Sequence, residues 1–121
     1  MVYAFEIAIG VYDIGQNGEI SYSRSIAAPS TTDNPWMAPD GSIYFAGVSN
    51  VWKTLFADIT GDKEKYMPGT EVSKLAPGEY ELTQEYMDNG KQFQAASIAV
   101  FWEKNILVGS PFGNLMECHK V

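Results

Sequence analysis

The sequence predicts an all-β fold: an antiparallel β-sandwich or small barrel of about eight short strands, with one short helix near residues 49–59. Three observations predict it. Segments alternate apolar and polar residues with period two, turns rich in Gly, Pro and Asn separate them at short intervals, and three Trp, seven Tyr and six Phe suit a pleated surface.

The first strand is expected over Tyr3–Val11, where Tyr3, Phe5, Ile7, Ile9 and Val11 share one face and Ala4, Glu6, Ala8 and Gly10 the other. Gly10 within it suggests a bulge or a close backbone approach. Gly15-Gln16-Asn17-Gly18 then turns the chain into a strand over Glu19–Ala27, with Ile20, Tyr22, Arg24 and Ile26 on one side. These two strands should pair directly.

From Ala28 to Gly41 the alternation stops. Pro29, Pro35 and Pro39 among small polar residues make this the longest expected loop, and Pro39-Asp40-Gly41 turns it into a strand over Ser42–Val48. Over 49–59, Ser49 is placed to cap a helix whose stripe is Val51, Trp52, Leu55, Phe56 and Ile59, while Val51, Leu55 and Ile59 also fit one face of a strand. The i, i+4 pairs Trp52 with Phe56 and Val51 with Leu55 favour the helix.

Tyr66-Met67-Pro68-Gly69 is a further turn, followed by a short strand over Thr70–Lys74. The most explicit local signal comes next: Leu75-Ala76-Pro77-Gly78 turns, Glu79 to Tyr86 alternates, Asp88-Asn89-Gly90 reverses, and Phe93 to Trp102 runs back. Asn-Gly supplies positive φ at both central positions of a two-residue turn, so a long hairpin is expected here. A turn at Glu103-Lys104-Asn105, a strand over Ile106–Gly109, a turn at Ser110–Asn114 and a strand over Leu115–Lys120 complete the chain.

Residues 1–121 read as a single β-rich domain, long enough to bury a core without a disulfide or metal. Fifteen acidic residues against eight basic ones give a net charge of −7, and residues 1–50 carry Arg24 alone against Glu6, Asp13, Glu19, Asp33 and Asp40. Free nucleic acid is therefore not an expected partner, since binding it depends on cations displacing counterions from phosphates. A basic partner is favoured by steering. Cys118 is the single cysteine, no apolar run reaches a membrane span, and the first residues lack the basic and continuous apolar regions of a signal peptide, so a cytoplasmic location is expected, in the host cell if the chain is viral.

Candidate chemistry is sparse. Asp58 to Glu64 begins like a calcium loop, but Lys63 stands where the sharp turn needs Gly and Gly69 where a bidentate Glu closes the shell. Cys118 and His119, adjacent on a strand, should point to opposite faces and so share neither a metal nor a proton. Glu79, Glu81 and Glu85 read as an exposed sheet face, and no glycine-rich phosphate motif occurs. No catalytic residue, metal or cofactor is expected.

The proline-stiffened loop stands out, because it presents Trp36 and Met37 between Pro35 and Pro39. Trp36 fits a lid over one end of the sandwich or an exposed anchor, whereas Trp52 and Trp102, in regular segments, are assigned to the core. The candidate binding set is Asp33, Asn34, Trp36, Met37, Asp40 and Tyr44. The function expected is that of a non-enzymatic acidic interaction protein whose partner is another protein with a basic surface, in the manner of inhibitors, immunity proteins or phage-encoded antagonists. A lectin-like carbohydrate-binding domain, using Asp33, Asn34, Trp36 and Tyr44, and a structural subunit of a virion or larger assembly are the alternatives.

Overall fold

The computed structural model describes residues 2–3 and 7–119. The fold is mostly β, in three antiparallel sheets with one short helix, and none of the sheets closes into a barrel. The first sheet joins β1 (Val2–Tyr3), β2 (Ala8–Ile14) and β3 (Ile20–Ala27). The second sheet is built around β6 (Ile43–Val48) and β7 (Thr70–Leu75), with β8 (Thr83–Asp88) on one edge and the two-residue strands β4 (Thr31–Thr32) and β5 (Trp36–Met37) on the other. The third joins β9 (Ile98–Trp102), β10 (Asn105–Gly109) and β11 (Leu115–His119).

Strand β6 explains why the layers stack in this order. Its period of two sends Phe45 and Ile43 toward Ile9, Ile26 and Ala28 on the first sheet's side. Tyr44 and Ala46 point the other way, toward Ala99, Ile106 and Val108 of the third sheet, with Val72 beside them. The middle sheet is thus buried on both faces, which is why β6 reads as a nearly continuous apolar run and four of its six residues are buried.

Several expectations change in the structure. Val2 pairs with Ile9 and Tyr3 with Ala8 in antiparallel register, so the single strand expected over Tyr3–Val11 is two, and Ile7 is exposed in a turn. Phe5 and Glu6, and Lys120 at the other end, lie outside the described residues. The 28–41 loop is laid along β6: Thr31 pairs with Val48, Thr32 with Gly47, Trp36 with Tyr44 and Met37 with Ile43. The register shift between Val11 and Tyr12 leaves Ser23 as the extra residue, so the bulge lies on β3 and not at Gly10, which pairs regularly with Ser25.

The expected long hairpin does not form. Strand β8 pairs with β7 through the turn at Ala76–Glu79, where Glu79 donates to the Ala76 carbonyl at 3.1 Å and Gly78 holds a φ of 79°. Gly90 takes a φ of 96°, but Asn89 does not join it in the left-handed region, as a type I′ turn requires. Instead Asp88 Oδ1 accepts backbone N–H groups of Gly90, Gln92 and Phe93, and the chain crosses toward the third sheet. Ala95 N donates to Pro68 O, and Thr70 Oγ1 donates to Phe93 O while accepting from Ala96 N. Phe93 becomes part of the core between sheets rather than a hairpin strand.

Helix α1 spans Val51–Thr60, with Asn50 rather than Ser49 as its cap: Lys53 N donates to Asn50 Oδ1 at 3.0 Å. Gly61, at a φ of 71°, closes it by donating to Ala57 O. Ala57 is the helix's buried residue, while Trp52 is 67% exposed and Leu55, Phe56 and Ile59 are exposed with it. The stripe facing the protein is Val51, Thr54 and Ala57, so Trp52 is not a core residue. Among the described residues, no helix is long and apolar enough to cross a membrane.

Candidate binding site

Trp36 enters the structure through β5, whose pairing with β6 sets its indole beside Tyr44, at 6.2 Å between ring centroids. Tyr44 in turn lies parallel to Phe101 of β9, 5.7 Å away with 5° between the planes. This column of rings joins the second sheet to the third. Trp36 is half-buried, neither a fully covered lid nor a free anchor.

At the top of the column Trp36, Ala38, Pro39, Asp40, Phe101, Trp102 and Glu103 line a cleft of about 420 Å³. Two hairpin turns make its walls. On one side Ala38 N donates to Ser42 O and Gly41 N to Ala38 O, closing the turn between β5 and β6. On the other, Glu103 and Lys104 connect Trp102 to its partner Asn105. Inward positions on β9 are taken by Ala99 and Phe101, so alternation turns Trp102 outward, 63% exposed, and the core assignment for Trp102 fails for that reason.

Two acidic residues line the cleft, Asp40 and Glu103. Asp40 accepts from Ser42 N at 2.9 Å and from Ser42 Oγ at 3.1 Å. The Ser42 N–H, opposed by slight desolvation and helped by the Ser42 hydroxyl and the charge of Lys74, holds the carboxyl of the exposed Asp40 below its ordinary value. Lys74 stands behind the ring column, its Nζ 5.7 Å from the Tyr44 centroid. Glu103 has a φ of 54°, at the turn position where a two-residue hairpin favours Gly.

The expected binding set is only partly brought together. Trp36 and Asp40 line the cleft, and Met37 beside them is 65% exposed. Tyr44 is 2% exposed and lies beneath Trp36. Asp33 and Asn34 point to Ser97 instead: Ser97 Oγ donates to Asp33 Oδ2 at 2.8 Å, and Asn34 Nδ2 donates to Ser97 O and Oγ. They pin the loop to the crossing segment before β9. Phe101, Trp102 and Glu103 were not in the set. The signal for them was the position of Trp102 and Glu103 at a hairpin tip, where side chains reach the rim of a sandwich.

Elsewhere, Cys118 packs partly buried on the core between the second and third sheets, and burial pushes its thiol up from the ordinary value. His119 faces away and meets Asn105 Oδ1 at 2.9 Å. The acidic segment after the helix is a turn, in which Asp62 Oδ1 accepts from Lys65 N. Among the described residues, no three His, Cys, Asp or Glu side chains are grouped to hold a metal ion. No protein-family model matches the chain, and no curated protein is detectably similar to it.

Proposed function

We propose that this chain works by binding, as a non-enzymatic acidic protein that receives an apolar segment flanked by Lys or Arg on the surface of another protein. The observation that carries the reading is the aromatic cleft itself, lined by Trp36, Phe101 and Trp102 and by the acidic residues Asp40 and Glu103. Large aromatic side chains held on paired strands lose little conformational freedom when covered, and Trp is enriched among residues that dominate interface energies. The two carboxylates favour a cation beside the apolar group, and the net charge of −7 would raise the rate of encounter with a basic surface.

A carbohydrate is the competing ligand, because sugars also stack on indole faces beside carboxylates. Asp33 and Asn34, expected in both readings, are bonded to Ser97, and Tyr44 is covered, so the sugar reading keeps only Trp36 of its four residues while the protein reading keeps Trp36, Met37 and Asp40.

The test uses wild type, W102A and D40N/E103Q as immobilised bait in an extract of the cells that produce the protein. Partners identified by mass spectrometry are then titrated at low and high salt. W102A should weaken binding about tenfold or more, the loss expected of an interface anchor. D40N/E103Q should weaken it and flatten its salt dependence. Equal binding by all three proteins would remove the cleft from the interface, and saturable capture on a glycan array would favour the sugar.

A further inference from the structure

We propose that the cleft between the first and second sheets is a separate site that takes a small amphipathic anion, one carboxylate on an apolar chain or ring. Its volume is about 490 Å³, within the range of small-molecule sites. The walls come from both layers: Ile9, Val11 and Ile26 from the first sheet, Ile43, Phe45 and Leu75 from the second. No residue of this lining belongs to the aromatic cleft, so neither proposal depends on the other.

Arg24 supplies the cation, the one basic residue in positions 1–50. It lines the cleft on β3, and its guanidinium carbon lies 4.1 Å from the centroid of the Tyr80 ring. Among the described residues, this ring contact is what the structure gives Arg24, with no ion pair. The geometry matters because a guanidinium stacked on a ring uses its face, whereas its N–H groups lie in its plane. That edge matches the two oxygens of a carboxylate. Arg24 and Tyr80 are both exposed, and among the described residues no hydrogen bond engages the Arg24 side-chain N–H groups, which leaves them to a carboxylate.

Two further features fit the same ligand. The register shift between Val11 and Tyr12 lies beside Arg24, which pairs with Val11, and bulges of this kind re-aim side chains next to sites. Glu79 also lines the cleft, and its like charge opposes a dianion more strongly than a single carboxylate.

The experiment is an NMR titration of the isotope-labelled protein with sodium octanoate and with 1-octanol, on wild type and on R24Q. Octanoate should produce saturable shifts at Ile9, Val11, Ile43 and Leu75 and bind R24Q at least tenfold more weakly, while the variant's spectrum keeps its dispersion. Octanol, which has the chain without the charge, should bind wild type at least tenfold more weakly than octanoate. Absence of saturable shifts at these residues, equal binding of octanoate by R24Q, or equal binding of the two ligands by wild type would each overturn the proposal.

Discussion

Asp88 shows how much one side chain organises. Its Oδ1 accepts from Gly90, Gln92 and Phe93, which turns the chain out of β8 and toward the third sheet. Burial opposes ionisation of this carboxyl, but the N–H groups of Phe93, Gln92, Gly90 and Asn89 outweigh it and hold it below its ordinary value of 3.8. A carboxyl depressed on folding contributes stability that is present above the unfolded value and lost as pH falls through the folded one. D88A should therefore cost about 1–2 kcal/mol near pH 7, the lower part of the range for charged hydrogen bonds because the group is only partly buried. Urea denaturation of both proteins checks it, with the difference narrowing as pH falls below about 4. A difference independent of pH would mean that the carboxylate charge plays no part.

At the scale of elements, the edge of the second sheet depends on a position that local propensity misjudges. Gly47 has no left-handed backbone, so replacing it with Ala should by chain entropy alone stabilise the protein. A Cβ there, however, would stand 1.8 Å from the Thr31 carbonyl oxygen and 2.7 Å from its carbon, both backbone atoms of β4. G47A should force β4 off β6 and destabilise by about 3 kcal/mol, at the upper end of overpacking costs. A lowered urea midpoint, with amide exchange accelerated around Thr31–Thr32, is the expected result, and an unchanged midpoint would show that the edge yields freely. Pairing of elements was the least legible feature of the sequence. The turn before Glu79 and the reversal at Asn89-Gly90 were both visible, yet β8 had a neighbour on either side in the chain. The choice fell to β7 because Asp88 captures the N–H groups that a return strand would need, and Phe93 gains more by entering the core. Runs bounded by turn residues located β6, β7, β10 and β11 closely, and fixed the end of β9 but not its start, while β4 and β5 are too short to leave such a mark.

Across the whole molecule, two apolar interfaces share one middle sheet. Phe45 belongs to the interface with the first sheet, and its neighbour Tyr44 to the interface with the third. F45A should cost about 3–4 kcal/mol. Its signature should be uneven: amide protection falls in β2 and β3 while β9 and β10 keep most of theirs, because the Tyr44, Val72 and Val108 side is untouched. Native-state hydrogen exchange reads this directly, and a uniform loss in all three sheets would show that the layers unfold as one. The same layering explains the candidate sites. The aromatic cleft opens where the second sheet meets the third, and the Arg24 cleft where it meets the first.

By itself the sequence determined the all-β class, most strand positions and the acidic charge, and favoured the short helix over a strand at 49–59, because alternation, turn residues and ionisable groups act over a few residues and leave their mark in order. Trp36 and Asp40 were legible for the same reason, as a Trp in a proline-stiffened loop and an acid in a turn. The tertiary structure alone decided that Trp102 faces solvent, that Tyr44 is covered, that Asp33 and Asn34 serve Ser97, and that Arg24 lies over the Tyr80 ring. Each of those outcomes depends on which sheet lies against which face, a contest among residues far apart in the chain that burial settles only when the layers come together.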